Sequence, residues 1–364
     1  MKMQRLIIIL ICFILSLQGC TFFDDTYMYE TEYQLQVRKE SPHGDQVNVT
    51  SLSELREAIR SAVAVGASSR RILFDPEYSG SPSEDLASAC WQVRTEDALC
   101  AYCVENIAYE LNQIVSHVEA RMKITYSTQA IPVDKIIKMT YATSLNDSLE
   151  DAISSGNCRL AILISRTTLT AEDMSARLEE VYRSNPALAP CKPECSVSLF
   201  SGTGTQRLYE LVLQTELSDE QFLKEKEEMD GIKLICDAES TELDRAFLAA
   251  DYLSTRCNAF GEGNIYAALI TGNANSEGIA LAYVALARQL GLECKIVQGQ
   301  KNRQDDYWNL IKIDSSYYHI DLFSDEKTAW FKNDEDFWGA YRWNVNDYPK
   351  CDASASLTRQ KDVS

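Results

Sequence analysis

The chain has 364 residues, 54 of them acidic and 35 basic, and a formal net charge of −19 at neutral pH. A field of that sign repels nucleic acid and anionic lipid surfaces, so neither is an expected direct partner. The length suits two packed domains rather than one, each able to bury a core.

At the N-terminus, Lys2 and Arg5 precede the apolar run Leu6 to Leu15, and Leu17-Gln18-Gly19-Cys20 closes it. The run is shorter than the roughly 20 apolar residues a spanning helix needs. It reads as an export leader, and its Leu-x-Gly-Cys ending resembles a bacterial lipoprotein signal cut before Cys20. That resemblance implies residues 1–19 as signal peptide, lipid on Cys20, and a protein held at the extracytoplasmic face of the cell membrane. Residues 20–45 are polar with no sustained period, as expected of a tether.

The sequence holds twelve cysteines, Cys12 in the leader and Cys20 at its end among them. In an exported chain the others are free to form disulfides, and Cys191 and Cys195 are spaced to close a small ring. Cys100 and Cys103 share one helix face at i and i+3 and read as structural, without the strand-then-helix setting of a redox pair or further zinc ligands.

Ser51 and Glu54 suggest a capping box ahead of a helix carrying Leu52, Leu55, Ile59 and Val63, and a short strand follows from Arg71 to Phe74. A helix is expected from Thr95 through Ile107 and Leu111. After it Val118, Ala120, Met122, Ile124 and Tyr126 alternate as a half-buried strand does. A second helix is expected from about Val133 to Ile153, then the strand Leu160 to Ile164, then a helix opened by Thr170 and Asp173. SGTGTQ, residues 201–206, lies between two strand-like runs and reads as a hairpin turn, not a phosphate cradle. This is an α/β-type domain over 46–204.

In the second half, Ser218 with Gln221 opens a charged helix, and the run from Glu242 puts Leu243, Phe247, Ala250 and Leu253 along one stripe. Beyond it, Glu277 to Leu290 has helical spacing and ends at Gly291. Three strand-like runs follow, ECKIV, YWNLIKI and YYHIDLF. Ser276 therefore stands where a helix begins, facing a sheet. Unpaired amides and the helix dipole favour a developing anion there.

Residues 264–323 resemble the core of the bacterial transglutaminase-like superfamily, with similarity extending from about 205 to Cys351. The resemblance implies an α+β fold, a papain-like core of a helix packed on an antiparallel sheet, as the 205–364 domain. It implies a cysteine nucleophile, a histidine base and an orienting aspartate. The matching positions here are Ser276, Asp306 and Asp321. Tyr307 and Trp308 flank the site, and His319 stands two residues before Asp321, where the family has it in addition to its base. No cofactor and no metal is expected. Two of the three catalytic positions are replaced, so the expectation is a catalytically silent protein that binds or scaffolds a protein, peptide or glycan at the cell surface. The alternative is an acid-active serine hydrolase or acyltransferase in which Asp306 and Asp321 serve Ser276.

Overall fold

The computed structural model describes residues 46–114, 117–156, 158–189, 191–236, 240–323 and 331–357. The leader, Cys20 and the 20–45 tether lie outside the described residues.

The first layer comprises β1 (Gln46–Val49), α1 (Leu52–Ala64), β2 (Ser69–Phe74), α2 (Pro82–Glu96), α3 (Ala98–Cys103), β3 (Val104–Ile114) and β4 (His117–Tyr126). Its four strands run in the order β1-β2-β4-β3. Ser51 caps α1 by accepting from the Glu54 amide. The Glu54 carboxylate returns to the Thr50 amide at 2.6 Å, one residue earlier than a capping box would place it. β4 buries Ala120, Met122 and Ile124 on one face, as its alternation requires.

The helix expected to run from Thr95 through Leu111 is a correction. Helix ends at Cys103, and Val104–Ile114 is strand, paired antiparallel with β4 along nearly its whole length. Ile107 and Leu111 have the i, i+4 spacing of a helix, but the long ladder to β4 satisfies the backbone and overrides it. Cys100 and Cys103 are buried on α3, and burial pushes the Cys103 thiol up to about 12.

The second sheet holds β5 (Ile137–Met139), β6 (Cys158–Ile164), β7 (Glu194–Ser201) and β8 (Arg207–Gln214), in the order β5-β6-β8-β7. α4 (Leu145–Ser154) and α5 (Ala171–Ser184) connect its strands. Here too the expected helix is shorter, beginning at Leu145 instead of Val133. Ile137–Met139 is drawn into parallel pairing with β6. β7 and β8 form a hairpin whose last pair, Ser201 and Arg207, is joined by residues 202–206. The sheet is covered on both sides: Ile162, Tyr209 and Leu211 enter the main core, while Ala161, Leu163 and Leu208 enter the core of the first layer. The ten described cysteines are free thiols, so no ring joins Cys191 to Cys195.

The third part follows with α6 (Asp219–Leu234), α7 (Glu242–Arg256), β9 (Asn258–Glu262), β10 (Asn273–Ala274) and α8 (Ser276–Gln289). It ends with β11 (Cys294–Lys301), β12 (Gln304–Ile313), β13 (Ser316–Ile320), α9 (Asp334–Phe337) and β14 (Tyr341–Arg342). Full capping boxes open α6 at Ser218 and α7 at Thr241. Every residue of α8 from Gly278 to Ala287 is buried, as for a helix wrapped on all sides. It packs on an antiparallel sheet ordered β13-β12-β11-β14, with Asn309 of β12 donating to the Ala280 carbonyl at 2.9 Å. The fold is α+β, with a helix packed on an antiparallel sheet in this third part.

Candidate functional site

α8 begins where the site lies. Asn275 is its N-cap and accepts from the Gly278 amide at 3.0 Å, leaving Ser276 half-buried as the first helical residue. Gly278 has a steric reason: a Cβ there would stand 2.7 Å from the Glu262 carbonyl oxygen, against which the first turn is pressed.

A cavity of about 320 Å³ opens above this turn, lined by Ser276, Lys301, Asp306, Tyr307, Trp308 and Asp321, with others. The structure thus brings the three matched positions to one pocket. Asp306 and Tyr307 come from β12, and Asp321 follows β13. Among the described residues the lining holds no cysteine and no histidine.

The two carboxylates are differently held. Asp306 accepts from the amide of Tyr307 at 3.0 Å, a local contact that leaves it beside the pocket. Asp321 is tied at both oxygens. Oδ1 accepts from the Phe323 amide at 3.0 Å, and Oδ2 accepts from Lys301 Nζ at 2.6 Å and from the Tyr341 hydroxyl at 2.6 Å. Among the described residues the Ser276 hydroxyl bonds to neither carboxylate. Lys301 also donates to the Phe323 carbonyl at 3.4 Å, so its ammonium is spent as a donor and is not a base for serine. Lys301 and Tyr341 are the site residues that the sequence reading missed. Lys301 ends β11, twenty residues before its partner, with only the strand order to reveal it.

Tyr307 is held against the mouth of the pocket. Arg183 of α5 lies 5.3 Å from its ring centre and reaches Glu277 at 3.4 Å and Gln298 at 3.0 Å. Burial, then the charge of Glu277, raises the Tyr307 phenol above its ordinary range.

His319 faces away. Ile320 and Asp321 line the pocket, whereas His319 is fully buried among Phe337 and Trp343, stacked on the Phe337 ring at 4.4 Å. Its Nδ1 accepts from Trp308 Nε1 at 3.0 Å, and its Nε2 meets Asp334 Oδ1 at 2.8 Å. Indole nitrogen can only donate, so Nδ1 carries no proton and Nε2 holds it for Asp334. Burial lowers the His319 pKa, and Asp334 opposes the effect without reversing it.

That tautomer also decides a metal question. His319, Asp334 and Cys351 bring ligand-type atoms within 4.8 Å of one another. Cation binding at Nε2 would need that nitrogen unprotonated while Trp308 holds the other lone pair, which amounts to an imidazolate. The donor set does not fit a metal, and it works as a hydrogen-bonded clasp between β13 and α9.

Residues 233–343 match the model of the Transglutaminase-like superfamily. This segment is a transglutaminase-like domain, and it contains α8, the strands beside it and all the pocket residues named above. Among solved structures, the chain is similar to a TGase at 11% identity with a TM-score of 0.28, over 53% of this chain and 56% of that one. It is also similar to a candidate protease from Parabacteroides distasonis at 7% identity with a TM-score of 0.24, over 58% and 47%. The chain thus spans about half the length of each. No curated protein matches it.

Proposed function

We propose that the transglutaminase-like domain is a binding module that keeps the scaffold of its superfamily without the reaction. One observation carries this reading: Asp321, at the position of the orienting aspartate, is bound by Lys301 and Tyr341. An aspartate in that role would hold a histidine in the correct tautomer beside the nucleophile. Here its charge is compensated by a lysine, and the position matched to the histidine is Asp306. A serine hydroxyl without an aligned base is a poor nucleophile.

The leader ending at Cys20 supports a protein lipid-anchored at the extracytoplasmic face, where the cavity would take part of a protein, peptide or glycan. Loss of detergent-phase partitioning in Cys20→Ala tests the anchor. The competing reading, acid-active hydrolysis or acyl transfer by Ser276, draws on Asp306 and Asp321 sharing its pocket. Amine-incorporation and peptide-hydrolysis assays of the wild type and Ser276→Ala, over about pH 3 to 8, separate the two. A silent wild type supports the binding module. Turnover that rises toward acid and vanishes in the variant supports the enzyme.

A further inference from the structure

Arg183 stands in the last turn of α5, outside residues 233–343, yet it reaches three residues inside that segment. Within its own helix it pairs with Glu179 at 2.9 Å, the i, i+4 spacing that brings two side chains to one face. From there the guanidinium extends to Gln298 of β11 at 3.0 Å, Glu277 of α8 at 3.4 Å and the Tyr307 hydroxyl of β12 at 3.5 Å. Only 23% of the side chain is exposed.

Strand alternation explains why these groups meet. Gln298 and Tyr307 are directly opposite each other across the β11–β12 ladder, so their side chains share a face of the sheet. Asn309, two residues beyond Tyr307, lies on that face too and donates to the Ala280 carbonyl, which makes it the face toward α8. Tyr307 therefore stands beside the first turn of α8, where Ser276 and Glu277 open the helix, and it lines the Ser276 cavity. Arg183 lies 5.3 Å from the centre of its ring. Among the described residues the cavity wall does not include Arg183, so its influence on the cavity passes through Tyr307.

We propose that Arg183 is a positioning residue for the Ser276 cavity: it pins Tyr307 at the mouth and so sets how large a group can reach Ser276. A tyrosine at the start of a strand, left unheld, exchanges among staggered rotamers and sweeps the opening beside it. Here the guanidinium ties ring and hydroxyl to Gln298 on one flank and Glu277 on the other. The task needs a planar fork with several donors. A lysine would bring the charge but could not engage both flanks and the ring at once. The inference rests on the Ser276 cavity being the binding site, and it adds that entry is controlled by a helix outside the transglutaminase-like segment.

The reporter is Ser276→Cys in the full mature chain, alkylated with iodoacetamide and read at position 276 by peptide mass. A thiol at a helix N-terminus reacts readily once reached. Rates are compared for the thiolate, from the pH profile, so that loss of the Arg183 charge is not mistaken for opening. In the same digest the buried Cys294 reports any general loosening of the fold. Added to the reporter, Arg183→Ala and Tyr307→Ala should each speed alkylation at 276 about tenfold, and Arg183→Lys several-fold, with Cys294 unchanged. Arg183→Ala combined with Tyr307→Ala should be no faster than Tyr307→Ala alone, since Arg183 acts through that ring. Equal rates with and without Arg183, or a rise matched at Cys294, overturn the proposal. If Arg183→Ala does not fold, Arg183→Lys decides, and a rate equal to that of the reporter alone overturns it. No ligand or turnover enters the measurement, so failure here leaves the binding module standing, and turnover by the wild type would leave the role of Arg183 standing.

Discussion

Lys301 Nζ stands 2.6 Å from Asp321 Oδ2, and Tyr341 reaches the same oxygen at the same distance. Asp321 is only 11% exposed, so its charge needs a partner, and the end of β11 supplies one. Asp321, which lines the pocket, is part of a strand-to-loop tie.

Lys301→Met should therefore destabilise the protein by about 2 kcal/mol, because it strands a mostly buried carboxylate that keeps only Tyr341 and the Phe323 amide. Lys301→Met with Asp321→Asn should recover part of the loss. Urea midpoints of the two single variants and the double variant measure the coupling, and additive losses would mean that the pair does not act as a unit.

Glu225 of α6 is fully buried, and among the described residues neither carboxylate oxygen has a hydrogen-bond partner. Burial raises its pKa to about 8. The folded chain then keeps a proton that the unfolded chain releases near its ordinary value of 4.5. Stability contributed by this neutral carboxyl is fully present below about pH 4.5 and is lost as pH rises through 8, a swing on the order of 5 kcal/mol. Glu225→Met should raise the urea midpoint markedly at pH 8 and little at pH 4.5. Equal gains at both would show that the carboxyl is ionised in the fold.

His319 behaves in the opposite sense. Its folded pKa is depressed, so below about 6.5 the unfolded chain takes a proton that the folded chain refuses, and stability falls as the solution is acidified. His319→Phe should remove the loss of stability that sets in below about pH 6.5, at the cost of the Trp308 and Asp334 contacts. A wild-type profile that is flat there would contradict the buried neutral ring.

The same tautomer predicts no thiolate-to-metal absorption when cobalt(II) is added to the folded chain. A band that disappears in Cys351→Ser would mean that His319, Asp334 and Cys351 bind a cation despite Trp308.

How much of this was legible in the sequence varied with the kind of signal. The apolar run of α8, its N-terminal Asn-Ser-Glu-Gly and the three strands after it were readable, because local period and turn chemistry agree there with the tertiary packing. Ile107 and Leu111 misled because their spacing fits a helix while β4 supplies a strand partner. Residues 133–144 misled because β5 exists only by pairing with β6. α2 opens at Pro82 with no side-chain cap and has a weak apolar stripe, so nothing announced it. Within the site, Ser276, Asp306 and Asp321 were found by motif, whereas Lys301 and Tyr341 depend on which strand ends meet. His319 was placed near the site by its two-residue spacing from Asp321. The strand ends at Ile320, so the alternation that puts His319 on the far face does not extend to Asp321.

Covalent labelling tests the central claim most directly. The purified mature chain would be incubated with a fluorophosphonate, and separately with an acyl donor, over about pH 3 to 8, and read by intact mass beside Ser276→Ala. The account predicts the unmodified mass throughout, because Asp321 is committed to Lys301 and, among the described residues, no base is hydrogen-bonded to the serine. A stoichiometric adduct on the wild type that is absent from Ser276→Ala would contradict it and restore Ser276 as a working nucleophile.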